Sequence, residues 1–298
     1  MECDLSIKPQ IHPTEIEPTS PLVESELIEV GSGGAAAALI HLNRPDTLNA
    51  ISWDMVRAIG AALEEVEADG RVRAVLITGR GRSFSSGGDL KAYLDLQQDI
   101  EGFPQFIDDL MRTFGAIHTM RVPVIALVNG VAVAGGIELM LACDFAYAAE
   151  SARIGDGHLN FGQMGGGGAL SYLPRTIGPS RARELMFSAE LLDAAAALEW
   201  GLVNRVFADD ELIEAGLAFA RGVAQRSARA IAAAKYVMNV GLANGTGLDA
   251  AMRLERERTA LYCLTDPDAR EGLLAFSEKR QPAFGIPIDE SGSENTAP

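Results

Sequence analysis

The most constraining feature of the chain is the stretch from Val124 to Ala142. It begins with a short β-rich apolar run, Val124-Ile125-Ala126-Leu127-Val128, continues through Asn129-Gly130 to Gly135-Gly136, and ends in the helix-compatible Glu138-Leu139-Met140-Leu141-Ala142. The reading is strand, glycine turn, helix. Such a turn leaves backbone N–H groups unpaired at a helix N-terminus, where the dipole favours negative charge. Gly135 and Gly136 can therefore bring amide donors close to a developing oxyanion, with the Glu138 carboxylate in the first helical turn. A second turn of the same kind, Gly79 to Leu90, follows the strand-like Ala74-Val75-Leu76-Ile77-Thr78. Two parallel strands with glycine turns at their carboxyl ends place both turns on one sheet edge, where α/β folds hold ligands.

The rest of the chain supports an α/β reading. Residues 26–30 and 36–42 flank Gly31-Ser32-Gly33-Gly34 as two strands, and Ser52 can cap a helix whose apolar positions Met55, Val56, Ile59, Leu63 and Val66 follow helical spacing. Residues 103–119 read as a further helix and 145–149 and 152–155 as strands, while the pattern from Ser180 onward is mostly helical, apart from a short strand at 203–206. Four consecutive glycines, Gly165 to Gly168, indicate either a close backbone approach or a mobile loop. Residues 1–22 and 286–298 are expected to be disordered tails, 23–200 the core carrying the site, and 201–285 a helical region.

Composition excludes several classes. With 298 residues and 48% hydrophobic content the chain can bury a sizeable core, yet no apolar run is long enough to span a bilayer. A net charge of −16 works against nucleic-acid and anionic-membrane binding. Cys3, Cys143 and Cys263 lie far apart, without metal-ligand spacing, so neither a disulfide framework nor a metal site is expected, and a cytoplasmic location fits.

Several blocks carry a resemblance. Leu42-Asn43-Arg44-Pro45 with Leu48-Asn49-Ala50, then Arg82 to Lys91, Asn129 to Glu138, Cys143-Asp144, and Glu271-Gly272 to Arg280 together resemble the motifs of the crotonase (enoyl-CoA hydratase/isomerase) superfamily, over roughly residues 25 to 285. The resemblance implies a ββα spiral fold with a C-terminal helical region, an acyl-CoA thioester as substrate rather than a bound cofactor, and assembly into trimers or hexamers. It assigns the oxyanion donors to the amides of Ser85 and Gly135, where removing one donor typically costs about 2.7–4 kcal/mol. It assigns coenzyme A contacts to Ala50, Ser83, Ser85, Ser86, Gly87, Gly88, Asp89, Leu90, Gly135, Phe276 and Lys279. Arg44, Arg80, Arg82, Lys91 and Lys279 are the candidate phosphate partners in an otherwise acidic chain.

Hydratases of this family hold a water between two glutamates. Glu138 matches the first, but the second position is His158. A histidine can move protons near neutral pH, and Asp156 is close enough in sequence to orient it. Hydration of an enoyl thioester is the first expectation. A histidine near this position also resembles the β-diketone hydrolase branch, whose aspartate position falls near Gly167, so C–C bond hydrolysis, double-bond isomerisation and a noncatalytic acyl-CoA-binding role remain as alternatives. Asn160, Gln163 and His118 read as structural or solvated.

Overall fold

The structure is a computed structural model that describes residues 21–242 and 245–285. The tails expected at 1–22 and 286–298 lie outside the described residues, except for Pro21 and Leu22. Leu22 packs on the core, and its carbonyl accepts a hydrogen bond from Asn43 N, so it belongs to the fold although the sequence reading put it in the tail.

In chain order the elements are β1 (Val23–Glu29), β2 (Ala36–Leu42), α1 (Trp53–Ala68), β3 (Val72–Gly79), β4 (Ser83–Ser85), α2 (Leu90–Leu96), α3 (Gly102–Thr119), β5 (Val124–Val128) and β6 (Val131–Val133). There follow α4 (Gly135–Ala142), β7 (Phe145–Ala149), β8 (Arg153–Gly155), α5 (Ala169–Thr176), α6 (Pro179–Ser188), β9 (Leu192–Asp193), α7 (Ala194–Trp200) and β10 (Arg205–Phe207). The chain then becomes helical through α8 (Leu212–Ala224), α9 (Ala228–Leu242), α10 (Leu248–Thr265) and α11 (Pro267–Glu278).

The strands divide between two sheets, one ordered β1-β2-β3-β5-β7-β10 and a smaller one ordered β4-β6-β8-β9. Apart from antiparallel β1 and β9, neighbouring strands are parallel. The repeat is simple: β3, β5 and β7 in the large sheet are each followed at once by β4, β6 and β8 in the small one, and then by helices. This is the ββα spiral. The sequence reading merged β6 into the glycine turn and omitted α2, because three residues show no alternation and α2 buries none of its residues fully.

Strand periodicity explains the two cores. Ala38, Ile40 and Leu42 of β2 face one cluster with Val75, Ile77 and Phe84, whereas Ala37 and Leu39 face the other with Leu76, Leu127, Leu212 and Leu217. Both faces of the central strands are thus buried, which is why 124–128 reads as an unbroken apolar run. The alanines of β2 are covered rather than exposed, since β1 pairs with it on one side, β3 on the other, and α8 packs on one face. The boundary expected at residue 200 does not separate layers: β10 completes the large sheet and α8 covers it, so the helices that extend beyond the core begin at α9.

Lys235 anchors α9. Its Nζ is buried, 2.7 Å from Asp144 Oδ2, and donates to the Ile117 and Val122 carbonyls at 3.0 Å each. Asp144 Oδ2 in turn accepts from Val124 N at 2.8 Å, so one charge pair joins α9, the end of α3 and the start of β5. Removing one partner of such a pair strands the other charge. Lys235→Ala is expected to lower unfolding stability by about 3 kcal/mol, measured by guanidinium denaturation at fixed protein concentration; a loss within error would show that α9 is not held this way.

Candidate active site

The carboxyl ends of β3 and β5 and the short strands that follow them bring the two glycine turns together. A Cβ on Gly87 would lie 2.7 Å from Ala134 Cβ and 2.8 Å from the Val133 carbonyl, and Gly87 takes φ +91°. Only glycine permits this approach. Two asparagines fix the upstream turn: Asn129 Oδ1 accepts from Gly79 N at 3.1 Å while its Nδ2 donates to the Gly79 and Gly81 carbonyls. Asn49, fully buried, donates from Nδ2 to Ser83 O at 2.7 Å and Arg80 O at 3.0 Å and accepts from Arg44 N at 2.8 Å.

A cleft of about 1360 Å³ opens along these turns. Gly88, Gly135, Glu138 and His158 line it. Ser85, assigned a donor role from the sequence, does not: it is fully buried in β4, and its Oγ donates to the Asn49 carbonyl at 2.8 Å. The residue of this turn that lies at the wall is instead Gly88. In the parallel bridge between Ile51 and Gly88, Ile51 N donates to Gly87 O at 2.7 Å and Asp89 N donates to Ile51 O at 3.0 Å, which turns the Gly88 N–H away from Ile51. Chain order alone concealed this three-residue offset.

The other expected contacts divide in the same way. Ala50, Ser86, Asp89 and Leu90 line the cleft. Ser83 is buried with its Oγ on the Val131 carbonyl, and Gly87 lies behind the wall, so neither side reaches a ligand. Phe276 and Lys279 sit exposed at the end of α11, outside this cleft. Among the candidate cations only Arg44 and Lys91 line it; Arg80 pairs with Glu24 instead. Asp89 caps α2 through Ala92 N and accepts from Arg44 Nη2 at 3.0 Å, two contacts that hold its carboxyl below the usual carboxylate range against the opposing effect of burial.

Glu138 is 1% exposed. One oxygen, Oε1, accepts from Gly167 N at 2.8 Å and Ala169 N at 3.3 Å, the amides at the start of α5. Burial still dominates, and raises the Glu138 pKa. The other oxygen, Oε2, lies 4.0 Å from His158 Nε2. His158 opens a 3-10 turn, and its Nδ1 is 2.9 Å from Asp156 Oδ2, while its backbone N donates to Asp156 Oδ1 at 3.1 Å. Burial by itself lowers the His158 pKa, but the Asp156 hydrogen bond and the charges of Asp156 and Glu138 outweigh it and leave it raised. Asp156 therefore fixes the ring with Nε2 toward Glu138.

The four glycines pack closely against side chains of the site, and Gly168, at φ +118°, also has a backbone conformation that favours glycine. A Cβ at Gly165 would meet Glu138 Oε1 at 2.5 Å, at Gly166 Ile107 Cδ1 at 2.8 Å, at Gly167 Glu138 Oε2 at 2.8 Å, and at Gly168 the Tyr172 ring at 2.6 Å. Gly88, expected as a coenzyme A contact, does line the cleft, whereas Tyr93 and the α3 residues Phe103, Phe106, Ile107 and Leu110, which line it with Glu138, were not named as site residues from the sequence. Among the signals available, only the helical spacing of α3 pointed there, and it does not separate core-facing from cleft-facing positions. His118 is structural in part, with its Nε2 2.8 Å from Tyr172 Oη. Asn49→Ala deletes three hydrogen bonds at about 1 kcal/mol each, so a loss of about 3 kcal/mol in denaturant unfolding is expected, and a loss below about 1 kcal/mol would place the turn's support elsewhere.

Comparison with known proteins agrees with this architecture. The family model described as enoyl-CoA hydratase/isomerase matches residues 32–286. A crotonyl-CoA hydratase of Syntrophomonas wolfei is 35% identical over 248 residues, covering 83% of this chain and 94% of that protein. A short-chain-enoyl-CoA hydratase of Clostridium acetobutylicum is 32% identical over 82% of this chain and 92% of its own length. Among solved structures, an enoyl-CoA hydratase from Mycobacterium smegmatis superposes with a TM-score of 0.81 at 30% identity, over 89% of this chain and 99% of that one. With the spiral of strands, the paired glycine turns and the buried glutamate all in place, the chain belongs to the enoyl-CoA hydratase/isomerase family.

Proposed function

We propose that the protein hydrates a 2-enoyl-CoA thioester, with Glu138 and His158 as its proton-transfer pair and the amides of Gly88 and Gly135 as its oxyanion donors. The observation that carries this reading is the 4.0 Å separation of Glu138 Oε2 and His158 Nε2 at the cleft wall. That distance is too long for a direct hydrogen bond, but a water about 2.8 Å from each atom fits between them.

The chemistry then balances. The water oxygen adds to the β-carbon as its proton passes to the Glu138 carboxylate. His158, protonated, gives its Nε2 proton to the α-carbon. The thioester oxygen carries the intermediate charge against the two glycine amides. The proton on Glu138 returns to His158, and the pair is reset. Oxidation level does not change, so the proposal calls for no metal and no redox cofactor. The thioester's coenzyme A moiety would lie along the outer cleft, where Arg44 and Lys91 are the cations that meet its phosphates.

A second reading uses the same Asp156–His158 pair at 2.9 Å with a neutral imidazole as base, delivering water to a carbonyl carbon for C–C cleavage. The aspartate position of that branch falls near Gly167, where any Cβ would lie 2.8 Å from Glu138 Oε2, so the site does not accommodate that branch's second carboxylate. Isomerisation needs only Glu138 among these groups.

The two readings differ in sign with pH. For hydration, activity falls at low pH as Glu138 takes up a proton, at a pH above the ordinary glutamate value because burial raises its pKa. It falls again at high pH as His158 loses its proton, above the ordinary histidine value of 6.5. Asp156→Asn removes the main raising influence and moves the alkaline limb of kcat/KM to lower pH. Loss of crotonyl-CoA absorbance measures all of this, and Glu138→Gln is expected to lower kcat at least about 10³-fold while calorimetric binding of butyryl-CoA persists. A profile that stays flat at alkaline pH would instead assign His158 the role of neutral base.

We also propose a trimeric or hexameric assembly and a cytoplasmic enzyme; none of the described helices is long and apolar enough to cross a membrane. Leu264, Leu273 and Phe276, between 75% and 85% exposed on α10 and α11, support the assembly. In it, Phe276 and Lys279 would approach the coenzyme A nucleotide of a neighbouring subunit, outside the cleft of their own. Light scattering on the purified protein is expected to give a mass of three or six chains, and a monomer at micromolar concentration would refute it.

A further inference from the structure

One polar atom at the acyl end of the cleft has no role in the reaction described. Tyr93 projects from the first turn of α2 among Phe103, Phe106, Ile107 and Leu110, which otherwise make this end apolar. Its ring is held edge-on by Phe103, at 5.6 Å between centroids, and by Phe106, at 5.5 Å. A Cβ at Gly88 would lie 3.6 Å from its Cδ2 and Cε2. The ring is thus fixed between the proposed oxyanion donor and α3. Its hydroxyl makes no hydrogen bond to any described residue, although the ring is half-buried. Burial and then the Glu138 charge raise its pKa, so the hydroxyl keeps its proton and serves as a donor.

Pockets that are mostly apolar gain specificity from a few placed polar groups, and a site built to hydrogen-bond a substrate oxygen discriminates against the analogue that lacks it. We propose that Tyr93 is a specificity-determining residue whose hydroxyl donates a hydrogen bond to a neutral oxygen on the acyl chain, so that the enzyme selects oxygen-bearing enoyl thioesters. The oxygen lies close to the reacting double bond, since Tyr93 adjoins Gly88 and feels the charge of Glu138. It is neutral, because a carboxylate would face the Glu138 carboxylate across an apolar wall.

This rests on the enoyl-thioester reading of the cleft, and the experiment separates the two. Wild type and Tyr93→Phe are compared on crotonyl-CoA and its 4-hydroxy analogue by kcat/KM, and on the unreactive butyryl-CoA and 4-hydroxybutyryl-CoA by calorimetry. A neutral hydrogen bond of ordinary strength gives a preference of roughly tenfold for the hydroxylated member of each pair in wild type. The ratio is expected to collapse toward one in Tyr93→Phe, which keeps the ring contacts. A wild-type ratio near one, or the same ratio in both proteins, overturns the proposal. If neither enoyl thioester is hydrated yet the Tyr93-dependent ratio survives in the saturated pair, the hydration reading fails and the Tyr93 assignment stands.

Discussion

The site depends on glycine backbone approaching other backbone, and the Glu138 carboxylate, more closely than a Cβ would allow without displacing its neighbours. Gly87 meets Ala134, Gly136 would place a Cβ 2.5 Å from the Ser85 carbonyl, and Gly165 and Gly167 lie flat against Glu138. Three loops from different turns of the spiral are thereby compressed around one carboxylate. The compression has a visible conformational cost at Ala134, which takes φ 52° and ψ −119°, a region that L-residues seldom occupy and that costs on the order of 1–3 kcal/mol. The Ala134 N–H donates to the Asp156 carbonyl at 2.7 Å, so the same residue that orients His158 also holds the strained turn ahead of Gly135. The turn that carries Gly135 and the residue that orients His158 are in this way joined by one hydrogen bond.

The electrostatics follow from that compression. A carboxylate as buried as Glu138 is stabilised only where something replaces its water, and the N-terminal amides of α5 do so at one oxygen while leaving the other free. That asymmetry is useful. The free oxygen faces a histidine whose proton is held by a second buried acid, Asp156, so two groups of opposite tendency stand across a gap of molecular size. Further out, the field of an acidic chain opposes a polyanionic ligand, and Arg44 is already committed to Asp89. Anion binding must therefore depend on local geometry more than on long-range attraction.

Much of this was legible in the residues. The strands at 72–79, 124–128 and 145–149 and the Ser52-capped helix α1 stand within a few residues of their expected positions, because apolar runs and a capping serine report local backbone preferences directly. Glu138 and His158, which both line the cleft, stand out in the sequence because each is an anomaly in its context: an acid in an apolar helix and a histidine at a glutamate position. The structure places Gly88 rather than Ser85 at the cleft for an equally definite reason. Which amide in a turn faces a cleft depends on which neighbours consume the others, and the neighbour here is Ile51, some forty residues away.

What the sequence determined by itself is the order of strands and helices, the two glycine turns and the presence of a glutamate and a histidine able to move protons, since these are set by local pattern and by chemistry that only certain residues possess. What only the tertiary structure decided is where the loops converge. It set the four glycines against the Glu138, Ile107 and Tyr172 side chains, placed Tyr93 beside Gly88, and set Glu138 and His158 4.0 Å apart. Contacts between segments distant in the chain are fixed by how the layers pack, and no local pattern encodes a distance across a cleft.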